Sequence, residues 1–323
     1  ADRRRHVSQR GHVTTDNRSA TDRSPSGRTE PLEVARLFDA MADSYDEVEP
    51  WYEHLYKVLH TILLKHLAPP DDGAPRRSLD AGCGTGLQTA LLEALGYESH
   101  GVDISSGLLA RAKSHLKRST LTVGDLQRLP YPDSHFDVVN CCGSTLSFVS
   151  DPARAINEMG RVLRPGGKLL LECEHKWSFD LGWSLLSALT FDSLGYDITL
   201  GEIARQLWRP AREGFPIDYP FPLHDGRVEH MKLRLFTVCE LDDMLGLGGL
   251  VRRQTWGIHT FTNLIPSTTL HRDHLGYPVD LLFRQLCKID HLLFNSRIAH
   301  ALANSIVVLA ERTAQRSPGS LFG

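Results

Sequence analysis

The sequence has no long apolar segment and no strong charge of either sign. None of its hydrophobic runs reaches the roughly 20 residues that a membrane-spanning helix needs, and the N-terminus has no hydrophobic core of a secretory signal. A net charge of −3 at pH 7 provides no electrostatic basis for binding nucleic acid. We therefore expect a protein that neither inserts stably into a membrane nor takes a nucleic-acid partner.

Disulfide and metal-binding patterns are also missing. The 6 cysteines form neither a C-x-x-C pair nor a zinc-ligand spacing, and the 16 histidines are scattered. Most of the cysteines lie in apolar stretches, which is typical of reduced, buried thiols. These absences predict a cytoplasmic protein without a metal site.

What the chain does have is a glycine-dense turn between an apolar strand and a helical pattern. The turn reads Leu79-Asp80-Ala81-Gly82-Cys83-Gly84-Thr85-Gly86. Glycine can adopt a positive φ and allows a ligand to approach the backbone closely, and a helix N-terminus attracts anionic groups. The pattern predicts the start of a nucleotide-binding βαβ unit. An ordinary strand-to-helix turn is the alternative, and the residues downstream decide between the two.

Further strands and helices alternate after this turn. Strands are predicted at 99–103, 121–123, 136–142 and 168–173, helices at 106–116 and 151–162, and a turn at 163–167. Two amphipathic helices, near 31–42 and 51–67, precede the turn. The alternation predicts an α/β fold with a doubly wound, mostly parallel sheet. Asp103 falls at the tip of the second strand, where a carboxylate can accept both hydroxyls of a ribose.

The chain divides into five predicted parts. Residues 1–29 form a polar, disordered tail, 30–173 the N-terminal helices and cofactor-binding core, and 174–235 an inserted cap or lid. Residues 236–312 complete the core with a helical insertion, and 313–323 are a tail. Within the cap, 218–223 is predicted to be a rigid aromatic loop. A lid over the cofactor cleft is favoured for this apolar segment, with packing on the sheet and a homodimer contact as alternatives.

Four motifs together resemble the class I S-adenosylmethionine-dependent methyltransferases. They are 79–86, Val102-Asp103, Gly124-Asp125-Leu126 and the 163–167 turn. The spacing of Phe38, Ala42, Tyr45 and Asp46 also resembles the small-molecule type, in particular the quinone-biosynthesis methyltransferase group. The resemblance implies a seven-stranded sheet, with the last strand, 305–310, antiparallel and inserted between the fifth and sixth. It also implies S-adenosylmethionine as cofactor and S-adenosylhomocysteine as product.

The resemblance further implies which residues hold the cofactor. Asp80 would attract its ammonium group, Asp103 its ribose and Asp125 its adenine amino group. The structural alternatives are that Asp80 bonds the loop backbone, that Asp103 caps a helix and that Asp125 stabilises a turn. The full set of predicted cofactor-binding residues is Tyr45, Asp80, Ala81, Gly82, Cys83, Gly84, Gly86, Asp103, Ile104, Gly124, Asp125, Leu126 and Cys142.

The sequence identifies a general base less sharply. His175 follows the fifth strand, close to where a substrate would lie, and ranks first, while Tyr45 is a second catalytic candidate. The function expected is in-line transfer of a methyl group to a small acceptor, with a hydrophobic one favoured. An NAD-dependent oxidoreductase on a similar fold and a non-catalytic S-adenosylmethionine-binding protein are the alternatives.

Overall fold

The computed structural model describes residues 30–42, 50–210, 213–222, 228–271 and 275–313. The predicted N-terminal tail, all but the first residue of the predicted C-terminal tail, and Tyr45 lie outside these described residues. No helix among them combines the length and the apolar character needed to cross a bilayer.

Helices and strands alternate along the chain, as predicted. The helices are α1 Pro31–Met41, α2 Pro50–His66, α3 Leu87–Ala94, α4 Ser106–His115, α5 Pro152–Val162, α6 Phe179–Leu189, α7 Leu200–Trp208, α8 Val238–Leu247, α9 Ser267–Leu270, α10 Tyr277–Leu293 and α11 Arg297–Leu302. The strands are β1 Arg77–Ala81, β2 Glu98–Asp103, β3 Thr120–Val123, β4 Phe136–Cys141, β5 Leu163–Glu174, β6 Phe215–Pro222, β7 Val228–Leu235, β8 Leu250–Ile258 and β9 Ser305–Arg312.

Seven strands form the central sheet in the order β3-β2-β1-β4-β5-β9-β8. The first five are parallel, and β9 runs antiparallel between β5 and β8. The predicted α/β fold and the inserted last strand are therefore confirmed. The strand order reverses direction between β1 and β4, and ligands bind outside the carboxyl ends of strands at such a switch point.

The central strands are buried on both faces of the sheet. Val139 and Val308 belong to the apolar cluster formed with α5 and α8, whereas their neighbours Val138 and Val307 belong to the cluster with α2 and α3. Because successive side chains alternate between faces, a continuous apolar run is what a sheet covered by helices on both sides requires.

Side-chain caps fix where several of the helices begin. The Asp151 carboxylate accepts the Arg154 N–H at 3.1 Å and starts α5, while the Ser105 hydroxyl accepts the Leu108 N–H at 3.0 Å and starts α4. Each satisfies a backbone donor that has no partner within the helix.

The fifth strand begins earlier than its sequence indicates. The predicted turn at 163–167 is part of β5, which pairs Leu163 with Phe136 and then shifts register before Lys168 pairs with Val138. Gly166 has φ +78° within this shift. Extra residues accommodated in one strand are a β-bulge, so the glycine pair kinks the strand without ending it.

The predicted aromatic loop at 218–223 is wrong for its first five residues, which belong to β6. This strand pairs antiparallel with β7 in a separate two-stranded ribbon. Pro216 and Pro220 are an even number of residues apart, so the N–H groups that they lack fall on the same edge. The outer edge of a ribbon needs no donor, which is why proline is tolerated there.

Candidate cofactor site

A cleft opens at the carboxyl ends of β1, β2, β3 and β4. Its volume is about 670 Å³, including its open mouth. Seven of the predicted cofactor-binding residues line it: Gly82, Gly84, Asp103, Ile104, Gly124, Asp125 and Leu126. The fold thus brings together three motifs that are far apart in sequence.

The glycine turn leaves room on the floor of this cleft. Gly82 has φ +78° and Gly84 φ +52°, a backbone region that glycine tolerates best. A Cβ on Gly82 would lie 2.2 Å from Cγ2 of Thr145. The Gly82 N–H donates to the carbonyl of Val102 at 2.7 Å, which holds the turn against β2. A side chain at Gly82 would therefore close the space that a ligand needs.

Asp103 stands at the end of β2, facing the cleft. Its Oδ2 accepts the Gly84 N–H and its Oδ1 the Ser105 N–H, both at 2.8 Å. Burial raises the pKa of Asp103, while these two bonds oppose the shift. A carboxylate offers about four acceptor positions, so these bonds leave acceptor capacity for the hydroxyls of a ribose.

Asp125 follows β3 on the neighbouring side of the cleft. Its Oδ1 accepts the Gln127 N–H at 2.9 Å and caps the short 3₁₀ turn Leu126–Arg128. Gly124 lets this segment approach β2, since a Cβ there would lie 2.9 Å from Cγ2 of Val102. Asp125 therefore stabilises its turn while remaining in the cleft wall, where an adenine amino group could reach it.

Asp80 lies beneath the cleft and does not line it. Its carboxylate accepts the hydroxyl of Thr89 at 2.6 Å and Nδ2 of Asn140 at 2.8 Å, and burial raises its pKa to about 6. These bonds tie β1 to α3 and β4. A contact with the cofactor ammonium group stays a prediction.

Four other predicted residues are also absent from the cleft lining: Ala81, Cys83, Gly86 and Cys142. A Cβ on Gly86 would lie 2.6 Å from Cδ1 of Leu116, so this glycine allows close packing on α4. Burial raises the pKa of the Cys83 and Cys142 thiols. Their assignments to the cofactor stay predictions.

His175, the first-ranked candidate base, does not line the cleft. It is 3% exposed, and its Nδ1 donates to the carbonyl of Ala303 at 3.1 Å. Burial lowers its pKa to about 4, so the ring is neutral at physiological pH and a weak base. Tyr45, the other catalytic candidate, lies outside the described residues.

Helix α1 contributes a wall that the sequence did not assign to the site. Val34 and Phe38 line the cleft, and Asp39 anchors the helix because its Oδ1 accepts the Ser105 hydroxyl at 2.6 Å and the Gly107 N–H at 2.8 Å. The helical spacing predicted α1 but not the element against which it packs.

Three phenylalanine rings meet beside α1. Phe38 lies 5.5 Å from Phe148 and 6.4 Å from Phe221 of β6, measured between ring centroids. The Phe148 and Phe221 rings lie 5.7 Å apart. We call these three residues the cleft aromatic cluster. Through it the β6–β7 ribbon packs at the rim of the cleft, while the role of 174–235 as a lid stays a prediction.

A second polar cluster lies away from the cleft. Nitrogen and oxygen atoms of His54, His259 and Asp290 lie within 4.8 Å of one another, a proximity that the scattered histidines did not suggest. His259 already bonds the Thr262 hydroxyl at 3.0 Å and the Trp51 carbonyl at 3.1 Å, and Asp290 accepts both the hydroxyl and the N–H of Thr262. These bonds occupy atoms of His259 and Asp290, while Nε2 of His54 has no hydrogen-bond partner. The bonds anchor the loop after β8.

Residues 79–171 match the family described as "Methyltransferase domain". One relative is the malonyl-[acyl-carrier protein] O-methyltransferase of Halorhodospira halophila, 36% identical over 142 residues, which are 42% of this chain and 46% of that protein. Another is the demethylmenaquinone methyltransferase of Corynebacterium kroppenstedtii, 33% identical over 144 residues, 45% of this chain and 60% of that protein. The chain spans about half the length of the curated relatives it matches.

Solved structures match the fold over more of the chain. The [4+2]-cyclase SpnF superposes with a TM-score of 0.52 at 19% identity, over 89% of this chain and 97% of that chain. A chain from the Haloferax volcanii complex of the Trm112 methyltransferase activator with a putative methyltransferase superposes with a TM-score of 0.50 at 16% identity, over 86% of this chain and 98% of that chain. These likenesses concern fold alone.

The cofactor that the family implies, S-adenosylmethionine, fits the residues present. The cleft has a floor without side chains at Gly82 and a buried carboxylate, Asp103, with acceptor positions to spare. An NAD-dependent oxidoreductase finds no support among the relatives. Residues 79–171 are therefore a methyltransferase domain, carried on the class I, S-adenosylmethionine-dependent methyltransferase fold.

Proposed function

We propose that this protein transfers a methyl group from S-adenosylmethionine to a small acceptor, with a hydrophobic one favoured. The observation that carries the proposal is the meeting of Gly82, Asp103 and Asp125 in one cleft. Two relatives named for methyl transfer support it, one to malonyl-[acyl-carrier protein] and one to demethylmenaquinone.

When bound, S-adenosylmethionine supplies a methyl carbon already activated on a sulfonium sulfur. The chain's own residues then have two tasks. Asp103 and the glycine turn hold the donor in one orientation, which lowers the entropic part of the barrier. The cleft aromatic cluster covers the rim with apolar rings and excludes water.

The proposal is tested first by binding. We expect saturable binding of S-adenosylhomocysteine in calorimetry and none of NAD⁺. Binding of NAD⁺ in place of S-adenosylhomocysteine would support the oxidoreductase alternative, and binding of neither would overturn the proposal.

Transfer is tested separately, with methyl-labelled S-adenosylmethionine and a small-molecule cell extract. We expect label in at least one acceptor after incubation with the protein and none without it. Binding of S-adenosylhomocysteine without any transfer would favour the non-catalytic alternative. Mass spectrometry of the labelled product identifies the acceptor.

We also propose that the protein works in the cytoplasm and forms a homodimer. All six cysteines are free, four of them buried, which suits a reducing compartment. Large apolar side chains are exposed on the helices of the insertion and on α10, among them Leu189, Leu281 and Leu292, and a dimer contact would cover them. Cell fractionation tests the first proposal and sedimentation equilibrium the second.

A further inference from the structure

We propose that Glu174 is the catalytic base for the acceptor, and that the acceptor presents a neutral O–H or N–H group rather than a carboxylate. This inference rests on the proposed methyl transfer. Sequence reasoning ranked the neighbouring His175 first and overlooked two glutamates, Glu172 and Glu174, at alternate positions in the apolar strand β5.

The segment after β4 connects these glutamates to the cleft. Gly143 lines the cleft, and its N–H and that of Ser144 both donate to Oε2 of Glu172, at 2.8 and 2.6 Å. The hydroxyl of Ser144 donates to Oε1 of Glu174 at 2.7 Å. Glu174 is the last residue of β5, so it lies at the same sheet edge as the cleft and is tied by Ser144 to the segment that carries Gly143, whereas Glu172 is enclosed beneath that segment.

The backbone at this point is held in an uncommon conformation. Gly143 has φ +84° and Ser144, which is not a glycine, φ +58°. Residues held in this region occur where the surrounding contacts over-determine them, often at functional sites. Here the two N–H groups converge on one carboxylate oxygen, and the same turn aims the Ser144 hydroxyl at Glu174.

The charges facing Glu174 are negative. Glu172 on the same strand and Asp180 on α6, together with burial, raise the pKa of Glu174 to about 8, and the Ser144 hydroxyl opposes the shift. The Tyr196 hydroxyl and the Asn304 amide donate to Asp180. No described cation contributes to the shift, so the carboxylate of Glu174 is free of the ion pair that would keep it permanently charged.

Glu172 supports the same segment from within the sheet. It is fully buried, yet its Oε1 makes no hydrogen bond of ordinary geometry, although the Ser305 hydroxyl lies near enough to favour the charged carboxylate. Buried polar atoms are nearly always bonded. Because Glu172 is fully enclosed, the Ser305 hydroxyl is the donor that supports its carboxylate.

The proton and electron balance follows from these positions. The acceptor oxygen or nitrogen loses its proton to the Glu174 carboxylate and supplies the electron pair of the new bond to the methyl carbon. The pair of the broken C–S bond stays on sulfur, which becomes a neutral thioether. Glu174 then releases its proton to water. A base whose pKa lies near the working pH suits this transfer.

The same charges restrict which acceptors can enter. A carboxylate acceptor would bring a further negative charge into a region where burial, Glu172 and Asp180 already raise the pKa of Glu174, and like charges repel strongly where water is excluded. It would also bring no proton for Glu174 to remove. A neutral phenol, enol or amine meets neither obstacle.

The test compares Glu174→Gln with Glu98→Gln, an exposed control on β2 whose partner is Arg77. For Glu174→Gln we expect unchanged binding of S-adenosylhomocysteine in calorimetry and a fall in kcat of about 10²-fold or more. The wild-type kcat rises with pH up to about 8, and this rise is lost in Glu174→Gln. Glu98→Gln retains both the rate and the pH profile. A purely structural role would lower kcat without removing the rise.

The acceptor class is read from the labelled product of the cell extract. A methyl label on oxygen or nitrogen that survives mild alkali supports the inference. Label that mild alkali releases as methanol, as it does from a methyl ester, overturns it. Full activity of Glu174→Gln also overturns it and leaves the methyltransferase proposal intact. Absence of any transfer by the wild-type protein refutes that proposal and this inference with it.

Discussion

Oδ2 of Asp103, at the end of β2, accepts the N–H of Gly84 in the β1–α3 turn at 2.8 Å. One carboxylate therefore fixes the glycine turn and faces the space where a ribose would lie. Replacing Asp103 should therefore change both the shape of the cleft floor and the binding of the methyl donor.

Asp103→Ala is expected to weaken binding of S-adenosylhomocysteine at least tenfold, because each hydrogen bond to a charged group contributes about 1.5–3 kcal/mol. The free energy of unfolding should also fall by about 1–3 kcal/mol, since two buried N–H groups lose their acceptor. Calorimetry and urea unfolding measure the two effects. Asp71→Ala, in an exposed linker, is the control, and unchanged affinity in Asp103→Ala would refute the ribose assignment.

Gly82→Ala should disrupt the floor of the cleft. The new Cβ would lie 2.2 Å from Cγ2 of Thr145, and the backbone there has φ +78°. The close contact and the backbone strain are each unfavourable on their own. We expect a large loss of S-adenosylhomocysteine affinity and a lower melting temperature. Gly246→Ala in α8 has open space around it and should stabilise the protein by about 0.5–1 kcal/mol. Equal behaviour of the two variants would contradict this account of the turn.

Phe221→Ala should loosen the β6–β7 ribbon, because its ring packs against Phe38 and Phe148. We expect faster hydrogen exchange of the β6 and β7 amides and a higher acceptor KM. Phe191→Ala removes a fully exposed ring and should change neither. Unchanged exchange in Phe221→Ala would mean that the cleft aromatic cluster does not hold the ribbon.

The stability of the protein should depend on pH through Glu174. Its pKa is raised from 4.5 to about 8 in the folded state, so between these values the folded protein binds more protons than the unfolded one. Stability then falls as pH rises through this window. Glu174→Gln cannot ionise and should show a smaller fall between pH 5 and about 8, measured by denaturant unfolding at several pH values. Parallel curves for the two proteins would show that Glu174 is charged throughout.

Asp290→Asn should destabilise the loop that follows β8. The carboxylate accepts the N–H groups of Phe261 and Thr262 and the Thr262 hydroxyl, whereas an asparagine would direct an NH₂ group at one of these donors. We expect a loss of about 1–3 kcal/mol in unfolding free energy. Added Zn²⁺ should not raise the melting temperature of the wild-type protein; a rise would show that His54, His259 and Asp290 do bind metal.

Much of the part of the site that would hold the methyl donor could be predicted from local sequence patterns. Gly82 directly follows β1, Asp103 ends β2 and Asp125 comes two residues after β3, and the carboxyl ends of neighbouring parallel strands meet at one edge. Position in the chain thus nearly specifies position in space. Asp80 shows the limit, because the same motif contains both cleft residues and buried anchors, and the contacts of Asp80 with Thr89 and Asn140 appear only in the tertiary structure.

The sequence by itself determined the sheet, its glycine turn and the carboxylate at the end of β2, since these follow from short-range periodicity and the topology of βαβ units. Only the tertiary structure decided what surrounds the donor. Phe38 and Phe221 are 183 residues apart (221 − 38), and Ser144 reaches Glu174 through an uncommon backbone conformation. Such contacts depend on how separate elements pack, and local propensity carries no information about that packing.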